Sequence, residues 1–235
     1  MAFEALTLAK KLNLTVDSTT LDAAKSWLEK QQSSISSNDG DARCLVQYAL
    51  STSNTADFSA CNRLFRERGK LEDAGKALLA AAFMNLDRPE NAKTLLESMA
   101  EANAWKRPSS RFACSDIFIA GRALMAAANV APNSGLTEKF QNIILEQSGV
   151  NGFISDLDRG AAIAGLTCLN EKAAAADAEI TVNLNGQEIG KFNTNKPVQM
   201  ASIDIDSKLL IEGENVLSFA MEGNGKLVAL SLIHI

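Results

Sequence analysis

The chain has 235 residues, 46% hydrophobic and 22% charged, with a formal net charge of −5. That length suits one large or two small domains, and that composition builds a buried core rather than a disordered chain. The acidic balance speaks against a nucleic-acid or anionic-membrane surface, which needs clustered Lys and Arg to neutralise phosphates.

The N-terminus opens directly on a helical pattern. Phe3, Leu6, Leu8 and Leu12 predict a first helix that Asn13 closes. Residues 1–16 do not read as a signal peptide, because Glu4 interrupts the apolar stretch and Lys10 and Lys11 lie at its wrong end. Met1-Ala-Phe-Glu looks like the middle of a helix, so either the protein is cytoplasmic or the start of the gene product is missing. No apolar run approaches the roughly 20 residues that cross a bilayer.

Thr19-x-x-Asp22 resembles a capping signal before a helix whose apolar residues Leu21, Ala24, Trp27 and Leu28 fall at helical spacing. The polar stretch Gln31 to Gly40 predicts a loop, with Asp41 capping a helix that carries Leu45, Tyr48 and Ala49 on one face. Phe58, Cys61, Leu64 and Phe65 mark the next helix, with Gly69 as its terminating residue. Leu71 to Met84 is the strongest helical segment. Pro89 then restarts the chain at a first-turn position, ahead of Leu95, Leu96 and Met99. Phe112 to Ala128, Thr137 to Gln147 and Leu157 to Ala174 complete the series, the last with Ile163, Leu166 and Leu169 inward. The pattern predicts about nine helices of roughly 10–17 residues, paired as antiparallel hairpins by short connections. Ala-rich runs such as Ala80-Ala81-Ala82 and Ala126-Ala127-Ala128 let such helices approach closely.

From Glu179 the apolar period becomes two: Ile180, Val182 and Leu184 alternate with polar residues. Asn185-Gly186 is the favoured type I′ hairpin turn, with Ile189 and Phe192 on the return strand. Met200, Ile203 and Ile205 predict a third strand. Gly213-Glu214-Asn215 turns into Val216 to Phe219, and Gly223-Asn224-Gly225 into Leu227 to Ala229. About five strands are few for a complete sandwich, so some partner strands are expected outside the chain. The expected fold class is therefore α+β: residues 1–176 a helical domain, residues 177–235 an antiparallel, sandwich-like β-domain, truncated or complete.

No catalytic, cofactor-binding or metal site emerges from the residues, and the chain is read as non-enzymatic with no small-molecule substrate. Its single histidine is the penultimate residue, His234, so a histidine triad or metal site would have to use a terminus. No Walker loop, GxGxxG or GxSxG is present. Asp156 and Asp158 could form an acid pair, but Asp158 or Ser155 as a helix cap is the favoured reading. Asp204 and Asp206 would share the solvent face of a strand. Arg63, Arg66, Arg68 and Lys70 complement a helix C-terminus, and a binding patch is the minor reading. Cys44, Cys61, Cys114 and Cys168 contain no C-x-x-C pair and read as buried thiols, with disulfide pairing the alternative. Cys44-Leu-Val-Gln47 has the spacing of an internal thioester. It lacks the preceding Gly and the Glu before Gln, so a plain helical pair is favoured.

Four segments carry a family resemblance. They are Phe3 to Leu12 with Leu21-Asp-Ala-Ala-Lys-Ser-Trp-Leu28, then Ala74 to Phe83 with Asn91 to Leu96, then Asp156 to Leu166. The fourth is Val182-Asn-Leu-Asn-Gly186 with Gly213-Glu-Asn-Val-Leu217 and Gly223-Asn-Gly-Lys-Leu227. In that order they resemble the C-terminal part of bacterial-type alpha-2-macroglobulins, and they span most of the chain. The resemblance implies a partial α/α toroid of the thioester-type domain followed by CUB-like or macroglobulin-like strands. It also implies an endopeptidase inhibitor that traps proteases, periplasmic or envelope-associated, with proteases and neighbouring domains of the same polypeptide as partners. The family's G-C-x-E-Q motif, bait segment and upstream domains are missing here, so this chain could not trap a protease alone. Leu230-Ser-Leu-Ile-His-Ile235 looks like translated sequencing-adapter DNA; the other reading is an ordinary apolar strand. The competing readings are a helical-repeat binding module and, more remotely, a terpene-cyclase-like toroid enzyme. The latter would need a D-x-D-D motif or zinc site and an aromatic-lined cavity, whereas the chain has one Tyr, two Trp and ten Phe.

Overall fold

A computed structural model describes residues 2–101, 115–151, 155–172, 178–193 and 203–223. Helices come first: α1 (Ala2–Lys11), α2 (Ser18–Ser34), α3 (Gly40–Ser51), α4 (Phe58–Arg66), α5 (Asp73–Asn85), α6 (Pro89–Ala100), α7 (Asp116–Val130), α8 (Gly135–Asn151) and α9 (Asp156–Lys172). Strands β1 (Ala178–Leu184), β2 (Gln187–Asn193) and β3 (Leu217–Gly223) follow. The architecture is α+β, and the chain divides into two units, Met1–Lys172 and Ala173–Ile235.

Short polar side chains set where the helices start. Asp17, not Thr19, caps α2, accepting from the Thr19 and Thr20 amides. Both threonine hydroxyls also donate to it, and these bonds, Thr20 first, hold its carboxyl down at about 2. Asp39, not Asp41, caps α3 through the Ala42 amide. Each true cap lies two residues before the expected one, where the backbone is still outside the helix and the carboxylate can reach an unpaired amide. Ser115 caps α7, and Ser155 and Asp158 form a reciprocal capping box at α9.

Asn and Asp, not Gly, supply the left-handed residue at three helix ends. Asn13, Asn54 and Asp87 have φ of 58°, 58° and 57° after α1, α3 and α5. In each case the next amide reaches back five residues: Leu14 to Ala9, Thr55 to Leu50 and Arg88 to Phe83. These are Schellman closures, and Pro89 follows the third as the first residue of α6. Gly69 does not end α4. It sits in a 3₁₀ turn, Arg68–Lys70, after Glu67 has already capped the helix. The expected loop from Gln31 is helical as far as Ser34. Of the Phe112–Ala128 segment, residues 112–114 lie outside the described residues, as do Ala173 and Ala174 of the last helix.

The core of the helical unit is built around α5 and α7, which are apolar on nearly all sides. Alternate helices run parallel. The Glu72 amide donates to Asp41 Oδ1 at one end of α3 and α5, and Asn85 Nδ2 donates to Ser51 Oγ at the other, 3.0 and 2.9 Å. Ser115 donates to Asp158 where α7 and α9 both begin. The last pair lies backbone to backbone. A Cβ on Gly121 would come 2.4 Å from the Ala161 carbonyl, and one on Gly165 would come 2.6 Å from the Gly121 carbonyl. Ala161 and Ala162 therefore fill the α9 interface, while Ile163, expected inward, is 56% exposed. Leu166 and Leu169 are half-buried against the core. Trp27, on the same helical spacing as Leu21, is 59% exposed, because α2 buries only Leu21.

The β-unit is a three-stranded antiparallel sheet, β2-β1-β3, among the described residues. Asn185 and Gly186 both have positive φ, 52° and 82°, as a type I′ turn requires. Ile189 is the extra residue of a bulge, since Val182 pairs with Gly190 and Asn183 with Glu188. Ile203 and Ile205, expected on a strand, lie in irregular chain. Ile203 instead reaches over Gly190, where an added Cβ would meet its Cδ1 at 2.7 Å. Met200 and Leu227 to Ala229 lie outside the described residues.

Candidate functional site

Arg122 is the one charge in the apolar run from Ile117 to Ala128, and it is 2% exposed. A guanidinium cannot shed its proton, so the fold must supply an anion. Glu4 does, from α1: Arg122 Nη1 and Nη2 donate to its two oxygens at 2.6 and 3.0 Å. The Tyr48 hydroxyl of α3 donates to the same carboxylate and accepts from Arg122. The guanidinium also lies 4.9 Å from the Tyr48 ring centre and 5.4 Å from that of Phe118. Burial pushes the Tyr48 phenol far above its ordinary range, with Arg122 pulling the other way. The trio joins three helices distant in sequence. It was missed as a cluster, although a lone Arg among apolar residues demands a partner and was the available signal.

The Cys44–Gln47 pair is differently employed. Both residues are buried, but Gln47 turns its carbonyl oxygen toward α4, accepting from the Asp57 amide at 3.0 Å and the Cys61 thiol at 3.5 Å. Burial raises the Cys44 thiol far above the ordinary thiol value, with Asp41 adding to it. Burial first, then Asp57, raises Cys61 to about 12. A thiol that resists ionising is a poor nucleophile, so this arrangement suits packing. Cys44 and Cys61 are free thiols, Cys168 is half-buried, and Cys114 lies outside the described residues.

The remaining candidates separate. Asp158 is 3% exposed and spent on capping, accepting from the Ser155 amide and the Ser115 hydroxyl. Asp156 faces water with Arg159 at 3.3 Å. Asp206 caps a 3₁₀ turn through the Lys208 amide, and neither it nor Asp204 lies on a strand. Arg68 stacks on Phe65 at 4.6 Å, and Lys70 pairs with Glu67. Arg63 and Arg66 border an open recess of about 370 Å³ with Asp57 and Asn62. His234 lies outside the described residues. Among those residues no three of His, Cys, Asp and Glu gather as metal ligands, and no helix is long and apolar enough to cross a membrane.

No protein-family model, no curated protein and no solved structure matches the chain.

Proposed function

We propose that this chain is a non-catalytic part of an alpha-2-macroglobulin-type endopeptidase inhibitor. It contributes helices of the thioester-type α/α toroid and the first strands of the neighbouring β-domain. One observation supports this reading above others. Helices α3 and α5, and α7 and α9, run side by side in parallel with an intervening helix returning between them, and an antiparallel sheet follows. An α/α toroid is made of such alternating helices, and the resembling segments occur in the family's order. In this reading the partners are proteases, met through the parent protein, and the setting is periplasmic or extracellular.

The buried polar groups described above serve the frame, not a reaction. Arg122, Glu4 and Tyr48 bond to one another, and Asp158 is used up by two helix starts. Covalent capture would come from an upstream Cys–Gln thioester outside residues 1–235. A helical-repeat binding module is the second reading, since stacked repeats also set alternate helices parallel.

The genomic sequence flanking residues 1–235 decides between them. G-C-x-E-Q within a few tens of residues upstream is expected. A native start codon preceded by no such reading frame, or a signal peptide joined directly to Met1, overturns the proposal.

A further inference from the structure

We propose that α1 and α2 form a detachable strap, clasped to the helical unit through Glu4 and Arg122, which opens as a body while α5 and α7 stay folded. The inference does not depend on the family reading. Apolar anchoring of the strap is thin. Phe3 and Leu21 join Ala49 of α3 in a small core separate from the main one, with Leu6, Ala24 and Leu28 half-buried beside it. Leu21 is the only buried residue of α2, and Leu8, Leu12, Leu14 and Trp27 are 55–63% exposed. Regions with few buried contacts open at lower free energy than the core.

The polar attachment is concentrated at a single point. Among the described residues, every side-chain hydrogen bond from residues 2–34 to a later helix is made by Glu4. Its partners come from α3 and α7, so one carboxylate holds the strap across both. Removing that carboxylate takes away the anion that Arg122 grips with both terminal nitrogens, a costly loss for an enclosed guanidinium. Strap opening relieves it, because water then reaches Arg122 while the apolar contacts of α5 and α7 remain intact. The opened state presents Arg122 and Tyr48 beside the Phe118 ring, where the Glu4 carboxylate had been.

Native-state hydrogen exchange on the full chain, resolved by mass spectrometry, tests this. In the unaltered protein, amides of residues 2–34 should exchange on the order of 100-fold faster than those of 73–85 and 116–130. Glu4→Gln should accelerate exchange in 2–34 about tenfold further and leave 73–85 unchanged. Adding Arg122→Met should restore the strap's protection toward the original. A merely structural ion pair would instead lose protection equally in α1, α5 and α7, and that result overturns the proposal. Equal exchange of 2–34 and 73–85 in the unaltered protein overturns it without any variant.

Discussion

Phe83 and Phe219 are the same side chain in two settings. Phe83, in α5, is fully enclosed, with the Phe65 ring edge-on at 5.6 Å. Phe219, in β3, lies opposite Val182 on the apolar face of the sheet and is 41% exposed. The helices wrap their apolar stripes around one another until α5 and α7 have almost no outer side. The sheet covers its β1 row, where Ala178, Val182 and Leu184 are buried, and leaves Leu217 and Phe219 partly open on β3. The lesson concerns dimension. A helix can be surrounded by neighbours from one chain, whereas a three-stranded sheet has a wide face and two edges to cover with few residues.

Truncation of these two rings gives the largest expected difference. Phe83→Ala should lower unfolding stability by about 3–5 kcal/mol, the cost of a cavity in a closed core. Phe219→Ala should cost under about 1 kcal/mol, because much of its surface already meets water. Urea denaturation of both variants checks this, and similar losses would mean that the sheet is as tightly enclosed as the helices.

Close approach of backbones provides a second comparison. Gly121→Ala drives a methyl into the Ala161 backbone, which cannot move alone, and should cost about 3 kcal/mol. Gly190→Ala meets only the tip of the Ile203 side chain, which can rotate away, and should cost under about 1 kcal/mol. Thermal melts of the two variants rank them; a worse Gly190 variant would show Ile203 to be rigidly held.

The smallest effect contrasts an exposed with a half-buried carboxylate. Asp17 is held at about 2, below the ordinary 3.8, by its threonine bonds. It therefore contributes stability above 3.8 that is lost as pH falls toward 2. Asp41 is raised above 3.8, chiefly by burial, against the Glu72 amide that favours its charge. Its contribution is complete below 3.8 and is lost as pH rises through the folded value. Asp17→Asn should remove the first dependence and Asp41→Asn the second, each keeping an oxygen acceptor. Denaturation between about pH 2 and pH 6 reads the two signs; slopes of the same sign would refute the assignment.

The local rules that read well were those with one physical cause nearby. Asn13 ends α1 because Asn tolerates a left-handed backbone, and Pro89 starts α6 because its ring suits a first turn. Asn185-Gly186 makes its hairpin for the same conformational reason. Misreadings arose where local candidates competed. Asp39 and Asp41 are both plausible caps two residues apart, and only the position of α5 shows that Asp41 serves the Glu72 amide. Trp27 and Ile163 lie on helical spacings that look inward, but spacing does not say which neighbour arrives.

From residues 1–235 alone follow the succession of helices, the switch to strand periodicity at Glu179 and the hairpin at Asn185-Gly186, because each depends on backbone preference and apolar period over a few residues. The tertiary structure decided which helices lie parallel, that Gly121 and Gly165 exist for a backbone contact, and that Glu4, Tyr48 and Arg122 meet. Those three residues are up to 118 positions apart. Burial of a permanent charge requires a partner, but only the packing of whole helices determines which carboxylate comes within reach.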